Sequence, residues 1–167
     1  MRSALATVSV TLSIIMAAAM AGTFFAFSIG VMRGLDAARP AAALDAMQGI
    51  NQKIQNPVFG LMFVLVPVLA IAAGVLLVTM DQKSAAILFF VAAAVYFVGA
   101  LVPTFVVNVP MNNDLDALTI PKDPAGAAKA WSDFSGRWTA WNTVRTLFSF
   151  ASLLVMSLGV YLWGRDN

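Results

Sequence analysis

Residues 4–32 form an unbroken run of 29 positions without one charged side chain. As a helix rising 1.5 Å per residue, that run is roughly 43 Å long, against a hydrocarbon core of about 30 Å. Further apolar runs cover residues 58–80, 84–107 and 146–163, the last inside a fourth span of 143–163. A soluble domain carries about 45–50% apolar and about 25% charged residues. This chain has 60% and 11%, which excludes a water-soluble monomer and equally excludes disorder. The expectation is an all-α, integral membrane, antiparallel four-helix bundle forming one domain over residues 1–167. A cleaved secretory signal is the competing reading of the first run, because Arg2 and Ala19-Met20-Ala21 imitate its flanks. The apolar stretch continues about eleven residues past that point, so a retained helix is expected.

Asp81-Gln82-Lys83 is a tight turn, making the second and third spans a hairpin. Pro67 and Pro103 lie inside spans, where lipid-embedded helices tolerate a kink. Four spans put both termini on one side and the longer connections on the other. One side then carries Arg2, Lys83 and Arg165, the other Arg33, Arg39, Lys53, Lys122, Lys129, Arg137 and Arg145. The positive-inside rule places the long connections in the cytoplasm of a multi-pass protein of the cell (inner) membrane. Ala18, Gly22, Ala26, Gly30 and Gly34 recur at every fourth position, a small-residue ridge expected to pack against a neighbouring helix. Ala70 and Gly74 offer a shorter version.

Cysteine, histidine and glutamate are absent, so thiolate, imidazole and haem-histidine chemistry are excluded. Oxygen donors from aspartate and amides suit magnesium or calcium better than transition metals, and neither metal nor cofactor is expected. The net charge of +2 comes without basic runs, which sets nucleic acid aside. The expected partners are the bilayer and a hydrophobic aromatic small molecule, with homo-oligomerisation left open.

Three segments on the connection side carry polar chemistry. A short interfacial helix over residues 40–55 opens on a proline suited to a first turn. Its stripe is Leu44, Met47, Ile50 and Ile54, flanked by an amide row, Gln48, Asn51 and Gln55. That row either forms a wet outer face or turns toward a cavity. The polar connection, residues 108–124, begins Asn108-Val109-Pro110-Met111-Asn112-Asn113-Asp114, a turn-forming composition that could also line a pocket mouth. Ahead of the last span, Trp131, Phe134, Trp138, Trp141, Arg145, Phe148 and Ser152 alternate by three and four and share one helix face. Arg145 either faces inward among these rings, held by cation–π contact, or reaches out to headgroups. Asp133 and Arg137 read as a surface pair.

Gly22 with Phe25-Ala26-Phe27-Ser28, Ala46-Met47-Gln48-Gly49-Ile50-Asn51, Asn108-Val109-Pro110-Met111-Asn112 and Trp138-Thr139-Ala140-Trp141-Asn142-Thr143-Val144-Arg145-Thr146 resemble, in order, the anthrone-oxygenase-like family of small four-helix membrane proteins. The resemblance implies conversion of an anthrone to an anthraquinone without an evident metal or flavin, because a deprotonated anthrone can hand electrons to O₂ itself. It implies ring contacts from Phe24, Phe25, Phe27, Trp138 and Trp141, with Gln48, Asn51 and Asn108 on the substrate, and an enolate oxygen stabilised by Arg145 with Asn142 or Asn112. Family members often carry a histidine just before the arginine; Asn142 and Thr143 stand there instead, leaving Asp114, Asp116 or Asp133 as the candidate base, or no base at all. A small-molecule carrier and a non-catalytic membrane subunit are the alternative readings.

Overall fold

The computed structural model describes residues 1–165, which form five helices. They are α1 (Arg2–Asp36), α2 (Pro40–Ile54), α3 (Pro57–Val78), α4 (Lys83–Ala117) and α5 (Pro124–Arg165). All but α2 are long and apolar enough to cross a membrane. With 42 residues, α5 is roughly 63 Å long, twice the hydrocarbon thickness. The four long helices close a ring in which α1 and α4 each pack against both α3 and α5. Large apolar side chains such as Ile15, Leu61, Val98 and Leu154 cover the outside, a surface suited to hydrocarbon and not to water. The chain is a multi-pass helical membrane protein.

Local sequence sets where each helix starts. Asn56 caps α3 by accepting from Phe59 N–H at 3.0 Å, with Pro57 in the first turn. Asp123 caps α5 in the same way, accepting from Gly126 N–H at 2.7 Å ahead of the first-turn Pro124. The α3–α4 turn places Asp81 at φ 60°, a left-handed conformation that aspartate tolerates better than most residues.

The segment from Asn108 to Asp114 is not a turn: α4 runs through it to Ala117. Two π-helical segments, Phe97–Leu101 and Thr104–Asn108, explain how. In each, the closing N–H reaches back five residues (Val102 to Phe97 O, Val109 to Thr104 O), and a proline, Pro103 or Pro110, comes next. The wider turn takes up the register shift just where proline has no N–H to contribute, so the helix continues. A third π segment, Phe27–Val31, widens α1 at the same end of the bundle.

The small-residue ridge of α1 also points elsewhere than expected. Ala18, Gly22, Ala26, Gly30 and Gly34 are exposed, and a Cβ on any of these glycines would meet nothing within 4 Å. The buried face is Ala6, Val10, Ser13, Ala17, Met20, Ala21 and Phe24. Both faces of α1 are apolar, so hydropathy does not distinguish lipid from protein, and small size alone misidentifies the contact. Ala70 and Gly74 of α3 are buried, and a Cβ on Gly74 would lie 2.7 Å from the Phe90 ring.

A second core lies at the end of the bundle where α1 finishes. There Met32 of α1, Leu44 and Met47 of α2, Leu115 of α4 and Trp131, Phe134 and Trp138 of α5 pack together. The amide of Gln48 ties α2 to the end of α4, donating to Leu115 O at 2.8 Å and Leu118 O at 2.9 Å.

Candidate functional site

Between the two cores α5 carries a buried row of polar residues. The inward face runs Trp131, Phe134, Trp138, Asn142, Arg145, Ser149 and Ser152. Trp141, expected on that face, points outward at 37% exposed, and Phe148 turns to the seam with α4, where it lies against Gly99. Counting in threes and fours from Trp138 permits either 141 or 142. The smaller Asn142 takes the inside because the bundle meets its hydrogen bonds there, while the large indole fits the outer surface.

Arg145 is 6% exposed and lacks a carboxylate partner; among the described residues the ion pair is Lys129–Asp133, 2.7 Å apart at the surface. That pairing also replaces the expected Asp133–Arg137 contact, both spacings being four on one helix. The Arg145 guanidinium carbon sits 4.5 Å from the Phe24 ring centroid and 5.4 Å from that of Trp138. One terminal nitrogen donates to Thr104 Oγ1 at 3.1 Å and the other to Asn142 Oδ1 at 2.7 Å. The Nε–H has no protein partner, so of five N–H groups only two are engaged within the protein. A buried cation without a counter-charge is costly, and its free donors fit an anionic oxygen.

Those donors border a cavity of about 90 Å³. Phe24, Phe27 and Trp138 form aromatic walls, Asn51, Thr104, Asn108 and Asn112 supply polar edges, and Met47 and Ile50 of α2 close one side. The mouth lies among Ile54, Gln55 and Phe59, which are partly or fully exposed. Trp138 is fixed on both sides: its Nε1 donates to Asn112 Oδ1 at 2.7 Å, and its ring lies 5.8 Å from Phe27. Asn108 donates to Trp138 O at 3.3 Å and keeps a buried Oδ1 without a donor among the described residues.

The structure thus gathers Arg145, Asn142, Asn112, Asn51, Asn108 and Trp138 around one cavity, and excludes three other candidates from it. Phe25 is 43% exposed and stacks edge-on against Phe150 at the outer surface, because Phe24 and Phe27 take the inward directions of the helix. Trp141 faces outward for the reason given above. Gln48 spends its amide on the backbone of α4. Asn142, wholly buried, donates to Phe24 O and Ser28 Oγ, both at 2.7 Å. Both its N–H groups are committed, so it holds Arg145 and does not itself donate to an oxyanion. Of the candidate bases, Asp114 and Asp133 border a separate surface cleft, and Asp116 accepts from Asn51 Nδ2 at 3.0 Å, one residue removed from the cavity.

Sequence reasoning passed over Thr104, Tyr96 and Ser149. Among the described residues, the buried hydroxyls of Tyr96 and Ser149 have no hydrogen-bond partner. The signal was present: each is a polar residue inside an otherwise apolar span, a mark of a functional interior.

A multi-pass helical bundle with an uncompensated guanidinium over an aromatic cavity is the class of protein that fold and site define. The family model described as anthrone oxygenase matches residues 52–155, and the chain belongs to that family. The match takes in Phe59, Thr104, Asn108, Asn112, Trp138, Asn142 and Arg145. Comparison with curated proteins and with solved structures returned no match.

Proposed function

We propose that the protein binds a flat hydrophobic molecule of anthrone or quinone type and promotes oxygenation of the anthrone by O₂, with Arg145 stabilising the enolate oxygen. The observation that carries this reading is the buried guanidinium, free of any carboxylate, with unused N–H donors on an aromatic cavity. The reaction balances as anthrone + O₂ → anthraquinone + H₂O. Loss of a ring CH₂ proton gives an enolate whose charge rests on the carbonyl oxygen. That enolate transfers electrons to O₂ and forms a carbon–oxygen bond at the former CH₂. The second hydrogen of that carbon then leaves as a proton while the O–O bond breaks, giving the new carbonyl and water. A fixed cation beside the oxygen lowers the energy of the enolate and of the charge-separated states that follow it. With no carboxylate on the cavity wall, the acidity conferred by Arg145 is the main aid to the first step, and the proton passes to solvent at the mouth.

Size limits the fit. A cavity of about 150 Å³ takes up benzene, and this one is about 90 Å³. One ring enters only if Phe27 or Phe59 moves aside, and the remaining rings lie in the mouth by Ile54 and Gln55. Oxygen uptake by purified protein with a hydroxylated anthrone, above the uncatalysed rate, tests the proposal. No acceleration, together with no saturable binding of anthrone or anthraquinone, would remove it.

A further inference from the structure

A second cleft, about 400 Å³ in volume, opens sideways between α1 and α5 and shares no lining residue with the Arg145 cavity. The two helices run antiparallel there, in a register fixed by Trp131 Nε1 donating to Asp36 Oδ1 at 2.9 Å and Asn142 Nδ2 donating to Ser28 Oγ at 2.7 Å. Chemistry along the cleft is therefore ordered. At its polar end are Arg33 and Asp36, the first charges after the apolar run of α1. Among the described residues, Arg33 is exposed with no carboxylate within ion-pair distance, and Asp36 accepts through Oδ1 alone. One level inward are Ser28 and Thr143, whose oxygens lie 3.1 Å apart, with Thr143 donating to Thr139 O at 2.9 Å. Deepest are Phe25 and Leu147, hydrocarbon open to the bilayer.

We infer that this cleft holds one glycerophospholipid whose headgroup carries both a phosphate and a primary ammonium. The phosphate meets Arg33, the ammonium donates to the second oxygen of Asp36, the ester region lies at the level of Ser28 and Thr143, and an acyl chain follows Phe25 and Leu147 into the membrane. One cation and one anion three residues apart select a zwitterion over an anionic lipid, which Asp36 would repel. A quaternary ammonium has no N–H to give Asp36, so an ethanolamine headgroup is preferred to choline. The inference does not rest on the proposed reaction. The two sites touch through Asn142, which donates to Ser28 and accepts from Arg145, so an occupied cleft steadies the wall behind the guanidinium.

Purified protein exposed to mixed phosphatidylethanolamine, phosphatidylcholine and phosphatidylglycerol, then stripped with detergent and weighed by native mass spectrometry, tests this directly. One phosphatidylethanolamine per chain is expected to persist. Arg33→Ala should lower its retention about tenfold, the worth of one hydrogen bond between charged groups. Asp36→Asn keeps the bond from Trp131 and should abolish the preference over phosphatidylcholine while lipid is still held. Both positions are exposed, and unchanged melting temperatures verify that the variants fold. Retention unaltered by Arg33→Ala, phosphatidylglycerol held as firmly as phosphatidylethanolamine, or displacement by millimolar glycerophosphoethanolamine without acyl chains would each overturn the inference.

Discussion

Replacing Arg145 with methionine separates a structural arginine from one kept for a ligand. The substitution removes two hydrogen bonds, to Thr104 and Asn142, each worth about 1.5–3 kcal/mol when a charge is involved. Cation–π contacts with Phe24 and Trp138 go as well, at about 0.5–2 kcal/mol each, and Asn142 Oδ1 loses its donor. Against these losses stands relief of the desolvation of a buried ion, itself several kcal/mol. The opposing terms are of similar size, so Arg145→Met should change stability by no more than about 2 kcal/mol, or roughly 4–8 °C in melting temperature for a chain of this length. The effect on turnover has no such cancellation: loss of the donor to a developing oxyanion costs about 10²–10³ in kcat. Oxygen uptake with a hydroxylated anthrone, corrected for autoxidation, and thermal unfolding in the same detergent give both numbers. A folded Arg145→Met protein with turnover within about threefold of wild type would refute the enolate role, since a term of that size could not be hidden. If the methionine variant fails to fold, Arg145→Lys decides. It keeps a charge but cannot span Thr104, Asn142 and a ligand together, so wild-type turnover in that variant would refute the role equally.

Asn142→Leu fills the same volume but frees Phe24 O and Ser28 Oγ and unties Arg145; kcat should fall about tenfold or more while KM changes little, and a rise in KM alone would show that Asn142 contacts substrate instead. Phe27→Ala enlarges the cavity at the Trp138 wall, so turnover of a three-ring anthrone should improve relative to a one-ring hydroquinone, a ratio read by parallel oxygen-uptake assays. Asp123→Ala removes the α5 cap and should cost about 1 kcal/mol in stability, measured by thermal unfolding, with kcat unaltered. Gly99→Ala puts a methyl group into the Phe148 side chain at the α4–α5 contact and should destabilise by about 1–3 kcal/mol; an unchanged melting temperature would mean that this contact is looser than described.

The architecture was legible because charge is so sparse: Arg33, Lys53, Lys83 and Arg165 each lie close to the end of an apolar run, and the number of runs sets the number of long helices. Rotation of each helix about its axis was far less legible. In water an amphipathic stripe marks the buried face, but α3 and the first half of α4 are apolar all round and α1 nearly so. Small residues at every fourth position then look like a contact, yet Gly22, Gly30 and Gly34 face outward and Phe24 faces inward. The same ambiguity put Trp141 and Phe25 on the cavity and left Thr104 and Tyr96 unnoticed. Asn108 continuing a helix was unreadable for a different reason, because the π segments ahead of Pro103 and Pro110 depend on backbone geometry that composition does not encode.

Polar residues kept their meaning where apolar ones did not. Asn51, Asn108, Asn112, Asn142 and Arg145 come from three helices and converge on one cavity. In hydrocarbon an unsatisfied polar group costs several kcal/mol, so each of these side chains must find a partner inside the bundle, and the partners lie where the helices approach one another. The π segments of α1 and α4 sit at this level, and they bring Phe27, Thr104 and Asn108 to the cavity wall. Most of the resulting hydrogen bonds close on protein groups. The exceptions, Arg145 Nε and Asn108 Oδ1, are a charged donor and a neutral acceptor on two residues that line the same aromatic space. Protein stability alone would favour filling that space with hydrocarbon; an unpaired guanidinium among rings is retained at a cost, and a bound oxyanion is what would offset it.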